Sequence, residues 1–334
     1  MTILYRGAIL GLFTVISGLV IHFVIFQFVL KENFDVALLF KLRGPRQPPH
    51  DVVVVSMDKY SADKLNLPYD TRKWPRSLHA RLTENMKNAG AEVVAFDIMF
   101  RETSTAEEDN SFAHAISSAG NVVLCESLKK EISRLTDKTG AHIGDLNIER
   151  LELPIPLIAQ SAVALAPFPV PRVATKVNHY WAFKTSAGDI PTLPVVVFQV
   201  YALDVYDEFK RFLELHTPFQ IDKLPEDKDE IVNTKSVVKV VQILKDIFEN
   251  TPLLAENMLE TLRDRRPPSI DQKKAQIFKS LIHMYKSPRS EYLNFYGPSG
   301  SITTIPYYHA LQFQEPFVAK KRFIDFRGKV VFVG

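Results

Sequence analysis

Residues 74 to 100, WPRSLHARLTENMKNAGAEVVAFDIMF, restrict what this 334-residue chain can fold into, because two structural periods meet there. Leu78, Leu82, Met86 and Ala89 recur at the spacing of one buried helix face, with Arg81, Glu84, Asn85 and Lys87 left for solvent. Pro75 suits the start of that helix and Gly90 its end. Glu92 to Phe96 then reads EVVAF, a short β-branched run suited to a strand buried on both faces, with Asp97 behind it. Asp51 to Met57, DVVVVSM, repeats the pattern and finishes on Asp58. After Asp97, Phe112, Ala115, Ile116 and Ala119 share a helix face, Gly120 stops it, and Asn121 to Cys125 is strand-like. Alternating strands and helices predict an α/β fold: a layered, mainly parallel or mixed sheet flanked by helices, with Val52–Met57 and Val93–Phe96 side by side.

A chain that is 46% hydrophobic can bury a large core. Its net charge of +3, with both signs interspersed, argues against a nucleic-acid partner. The single cysteine, Cys125, falls in a predicted buried strand and reads as an inert core thiol.

Gly7 to Leu30 is a run of 24 residues without a formally charged side chain. As a helix it would be about 36 Å long, enough to cross a hydrocarbon core of about 30 Å. Bulky Phe28, Val29 and Leu30 at its end favour an uncleaved transmembrane anchor over a signal peptide. Arg6 before the run and Lys31 and Glu32 after it give a weak bias toward a cytoplasmic N-terminus. Residues 1–30 are thus expected as tail and anchor, and residues 31–50 as a juxtamembrane helix and connector. That helix is placed over Phe34 to Arg43 and broken by Gly44-Pro45.

Further along, Glu126 to Glu149 reads as an exposed loop or hairpin, Leu157 to Leu165 as a short helix, Asn178 to Thr185 as a strand and Leu193 to Asp204 as a helix. Residues 207–290 are charge-rich but balanced, with helical spacing at Val237, Val241, Leu244 and Phe248 and again at Ile277, Phe278, Leu281 and Tyr285, which predicts a helical insertion or subdomain. Asp271 is the expected cap of its last helix. Glu291 to Tyr296 is expected as a strand, Gly297 to Gly300 as a turn, Pro306 to Leu311 as a short helix and Gly328 to Val333 as a buried strand. A core strand directly followed by the last residue, Gly334, suggests truncation.

Four landmarks together resemble the CHASE2 family of bacterial extracytoplasmic sensor domains: FDVALLFKLRGP at Phe34 to Pro45; VVVVSMD and WPRSLHARL between Val52 and Leu82; GAEVVAFDIMF at Gly90 to Phe100; and NFYGPSG with FRGKVVFVG between Asn294 and Gly334. The resemblance covers almost all of the chain after the expected membrane span, with residues 51–334 as the sensor domain and 207–290 an enlarged region. It implies a bacterial inner-membrane protein whose main domain lies outside the cytoplasm. Similar proteins carry further membrane helices that lead to an adenylate or guanylate cyclase or a histidine kinase. No enzymatic output is expected within this chain.

Asp58 and Asp97 are expected at the carboxyl ends of core strands, where open α/β sheets place ligands, and with Asp109 they would form an oxygen-rich metal site serving a hydrolase. The competing reading has Asp58 and Asp109 capping helices and Asp97 held by Arg76 or Arg101. Trp74 and Arg76 would line a small-molecule pocket at that edge, or serve packing and ion pairing instead. Ligand candidates are therefore Asp58, Trp74, Arg76, Asp97 and Arg101. No zinc-ligand spacing, Walker loop or GxGxxG fingerprint occurs, so no cofactor is expected. The expected partners are the membrane, an unidentified small-molecule or protein stimulus, and a second copy in a homodimer. A scaffold that recruits partners through 207–290 is the remaining alternative.

Overall fold

The computed structural model describes residues 2–28, 32–170, 177, 179–264, 270–312, 317–319 and 322–334. It begins with two helices, α1 (Thr2–Phe28) and α2 (Glu32–Arg43). The core continues through β1 (Val52–Ser56), α3 (Lys59–Leu65), α4 (Arg76–Asn88), β2 (Val93–Phe96), α5 (Ala106–Ala119), β3 (Val122–Thr136), β4 (His142–Glu152), α6 (Pro156–Ala159) and β5 (Ala164–Pro167). Short strands β6 (His179–Trp181), β7 (Phe183–Lys184) and β8 (Ile190–Pro191) lead into α7 (Leu193–Tyr201), α8 (Tyr206–Glu214), α9 (Lys228–Thr234), α10 (Val237–Asn250), α11 (Leu254–Asp264) and α12 (Gln272–Lys286). The remainder comprises β9 (Ser290–Tyr292), β10 (Thr303–Pro306), α13 (Tyr307–Leu311), β11 (Phe317–Ala319), β12 (Arg322–Ile324) and β13 (Val330–Val333).

The fold is mixed α/β. Its principal sheet runs β10-β1-β13-β2-β3, with β5 and β4 both pairing β3. All of these contacts are parallel except β3 with β4. The expected β1 and β2 share this sheet but are not neighbours: β13 lies between them, with Phe332 opposite Val54 on one side and Ala95 on the other. Local sequence pattern fixes which residues form strands, whereas strand order depends on crossovers.

Side chains alternate between two layers of core. Val94, Phe96, Val122, Leu124, Val331 and Val333 point to the layer that contains Leu82 and Met86 of α4 and Phe112 and Ile116 of α5. Val93, Ala95, Val123 and Val330 point the other way, into a layer with Val196, Phe209, Val241 and Phe278. That second layer holds most of the helical region 207–290, whose side chains are continuous with the sheet's own core through α7. The four residues of β2 are all fully buried, which explains why its run is uniformly apolar rather than alternating.

Several boundaries differ from expectation. The helix expected over Leu157 to Leu165 is the one-turn α6, and Ala164–Pro167 instead joins the sheet beside β3. The strand expected over Glu291 to Tyr296 ends at Tyr292. Thr303–Pro306, whose threonines and proline hide it, is an edge strand. Glu126 to Glu149, by contrast, forms the exposed hairpin, one of the two expected forms, as a long β-ribbon with Lys130 opposite Glu149 and Glu131 opposite Ile148. Asn178, Pro267 and Pro268 lie outside the described residues.

The expected span Gly7 to Leu30 falls on α1, but Val29 and Leu30 lie outside the described residues, and among the described residues no helix is long and apolar enough to cross a membrane. Leu10, Phe13, Leu19 and Phe23 are exposed on it.

Gly90 closes α4 in the left-handed region at φ +77°, and a Cβ there would come within 2.9 Å of Arg327 Cγ. Gly90→Ala is expected to destabilise the domain by about 1 kcal/mol or more, and Phe96→Ala by about 3–5 kcal/mol. Both are read as a lower urea midpoint with an unchanged slope.

Candidate functional site

The carboxyl ends of the parallel strands gather Asp58, Asp97, Cys125, Glu126 and Gly334 at one edge of the sheet. Asp58 is engaged as the N-cap of α3, where it accepts from Ser61 N–H at 2.8 Å. Asp109 is buried in the first turn of α5 and pairs with the equally buried Arg76; it also accepts from Ser104 N–H at 3.2 Å. Arg76 donates as well to the carbonyl of Glu102. Thr105, not Asp109, caps α5 by accepting from Glu108 N–H, and the Glu108 carboxylate accepts from Ser77 N–H at the start of α4. The first turns of α4 and α5 are thereby tied together.

The expected metal site is therefore corrected. Asp58, Asp97 and Asp109 do not assemble: one is spent on a helix terminus and another on a buried guanidinium. Among the described residues there is no group of three or more His, Cys, Asp or Glu side chains placed to hold a metal ion. Neither arginine holds Asp97, because Arg76 is taken by Asp109 and Arg101 by Glu152.

Asp97 projects to solvent, yet surrounding protein desolvates its carboxyl enough to raise its pKa, opposed by a hydrogen bond with Cys125. A side chain on Gly334 would lie 3.4 Å from Asp97 Cβ. Burial pushes the Cys125 thiol up to about 12, which makes it a poor nucleophile.

Trp74 is buried, donates from Nε1 to the Pro68 carbonyl at 2.8 Å and meets Tyr307 edge-on at 5.2 Å. His79 lies beside it, ringed by Phe96, Phe100, Phe112 and Tyr307, with Nδ1 2.8 Å from the Tyr307 hydroxyl. Burial pushes this imidazole down to about 3, so it is neutral and structural.

Two features were not singled out in the sequence. Glu126 ends the apolar part of β3 and is 6% exposed, with Oε2 lacking a hydrogen-bond partner. Burial raises its carboxyl to about 7. The signal was its position directly after the buried run Val122 to Cys125.

The second feature is a cleft of about 340 Å³ lined by Phe183, Asp189, Gln242, Lys245, Asp246 and Arg289, with Gly188 at its margin. Lys245, 5% exposed, donates to the carbonyls of Tyr285 (3.0 Å) and Ser287 (2.6 Å) and lies 3.3 Å from Glu249. Arg289 is forked against two carboxylates: Nε meets Asp189 Oδ1 at 2.8 Å and Nη1 meets Glu249 Oε1 at 2.8 Å. The Arg289 guanidinium holds the Asp189 carboxyl below its usual range.

The structure is thus an open, mainly parallel α/β sheet in which Asp58 and Asp109 serve the fold, while Asp97 and Glu126 remain at the carboxyl edge. The CHASE2 domain family model matches residues 10–334, nearly the whole chain. The chain belongs to the CHASE2 domain family, whose members are sensory rather than catalytic domains. No curated protein and no solved structure matches it.

Two outcomes are expected. Arg76→Ala leaves Asp109 buried and unpaired and should cost about 3–5 kcal/mol in urea unfolding. For Glu126 the folded pKa of about 7 lies above the unfolded value of 4.5, so the folded state binds the extra proton and stability falls as pH rises through that interval. The difference between wild type and Glu126→Gln, measured by urea unfolding, should grow in favour of the variant from about pH 4.5 to 8. It should amount to roughly 3 kcal/mol.

Proposed function

We propose that this chain is the stimulus-receiving part of a bacterial transmembrane receptor, tethered by the apolar helix at its N-terminus and serving a cytoplasmic output such as a cyclase or histidine kinase. The N-terminus lies in the cytoplasm, the α/β domain lies outside the cell membrane, and two copies pair as a homodimer. The tether reading is supported by the uncharged run Gly7 to Leu30 and by the outward-facing apolar side chains of α1.

One observation carries the signalling reading: the end of α2 is fastened to the chain that leaves β9. Arg43 donates to the Asn294 side chain and the Phe295 carbonyl, and its guanidinium lies 4.8 Å from the Phe40 ring. Phe40 packs edge-on against Phe295 at 5.5 Å, and Arg46 N–H donates to Tyr296 O at 2.7 Å. A side chain at Gly297 would collide with Ser301 and press on Pro45. The other end of this segment is Arg289, whose carbonyl accepts from Ala182 and Phe183 and whose side chain lines the cleft. Residues 289–296 thus join the cleft to α2, the helix that follows α1 in the chain, and a shift at Arg289 is carried to α2 over one short segment.

Topology and relay are tested separately. A Cys125→Ser chain that also carries Lys138→Cys at the exposed ribbon tip should be labelled by a membrane-impermeant maleimide on intact cells. Labelling only after lysis would place the domain in the cytoplasm and sink the orientation. Arg43→Ala should leave global stability within about 1 kcal/mol, since the pair is exposed, while hydrogen exchange at the Arg46 amide accelerates severalfold. An unchanged Arg46 rate would remove the fastening that the relay requires.

A further inference from the structure

The cleft that ends in Arg289 carries a ligand chemistry. Its cations are already committed. The three protons of Lys245 are directed at two carbonyls and Glu249, and Arg289 is forked by Asp189 and Glu249. Lys245 Nζ also lies 5.1 Å from the Phe183 ring centroid. An incoming carboxylate or phosphate would have to displace one of these partners.

The polar groups that remain are acceptors. Asp246 follows Lys245 directly on α10 and Gln242 stands one helical turn before it; both line the cleft, and no described residue engages the carboxylate of the first or the side-chain amide of the second. Asp189, Asp246 and Glu249 bring three negative charges against the two positive charges of Lys245 and Arg289, which leaves one carboxylate uncompensated. Lys245 and Phe183 at its base are buried, and Asp189, at φ +55°, is paired with Arg289. A volume of about 340 Å³ is at the small end of ligand sites.

We propose that this cleft binds a small organic cation carrying N–H donors, a primary ammonium or a guanidinium, with its charge on Asp246 and a hydrogen bond to the Gln242 carbonyl. This rests on the sensory reading and names the ligand class of its receiving site. The added positive charge beside Asp246 also repels the Arg289 guanidinium, which is the displacement that the 289–296 segment would pass on.

The test is calorimetric titration of the full chain in detergent micelles with n-butylammonium and, separately, n-butyrate, at physiological ionic strength. Wild type should bind n-butylammonium and not n-butyrate. Asp246→Asn should weaken that binding roughly tenfold or more, whereas Asp246→Glu keeps most of it. Asp246 is exposed, so neither variant threatens the fold. Absence of butylammonium binding, preference for butyrate, or equal affinity in wild type and Asp246→Asn would each overturn the cation site. In those cases maleimide labelling of the Lys138→Cys chain on intact cells and the Arg43→Ala exchange result still decide the receptor reading independently.

Discussion

The backbone groups of β1 and β2 that face each other across the middle of the sheet are satisfied only by β13, which hydrogen-bonds to both. Buried peptide groups without partners are costly, so neither half of the sheet is complete until residues 330–333 are in place. The apolar residues of β13 also contribute to both core layers, Val331 and Val333 to one and Val330 to the other. On that insertion rest the edge that gathers Asp97 and Gly334, the seating of α4 and α5, and the platform under α7. Non-local parallel pairing of this kind costs loop-closure entropy before it returns any contact energy, which makes it slow to form.

How much of this was legible in the sequence depended on how local the cause was. β2 and α4 could be read because burial on both faces forces an unbroken apolar run, and burial of one helix face forces a period near 3.6. Even there, His79 and Thr83, both buried on α4, escaped the pattern, because a polar residue on an apolar face is satisfied by partners that the sequence does not display. Asp58 and Asp271 do cap helices, as their positions suggested. Asp109 looked like a cap and is instead the partner of a buried arginine 33 positions away, a distance at which no spacing rule operates. The cleft was invisible for the same reason, since Asp189, Asp246 and Arg289 come from three separate segments.

Electrostatics divides the molecule into groups that hold it together and groups left available. Arg76, Asp109, Lys245 and Arg289 are all matched by opposite charges or carbonyls, and their charges stabilise only while those partners remain. Glu126 is the opposite case, a buried carboxyl with one oxygen unmatched, and Asp246 sits beside a matched lysine with no described partner for its own carboxylate. A sensory domain needs both kinds, because a ligand moves an equilibrium only by interacting differently with two states. A fully satisfied network offers no such difference.

The far part of the β3–β4 ribbon is mostly exposed, and β5 accompanies β3 only as far as Glu126. Lys129, Lys130, Glu131, Arg134, Asp145 and Arg150 bring charge of both signs to it, among exposed Ile132, Leu135 and Ile143, and Arg150 pairs across the strands with Glu131. Charged side chains along an open edge work against its use as a template by a neighbouring strand. A second copy approaching this edge would meet those charges before it reached the open peptide groups, so the ribbon hinders edge-to-edge joining of two sheets.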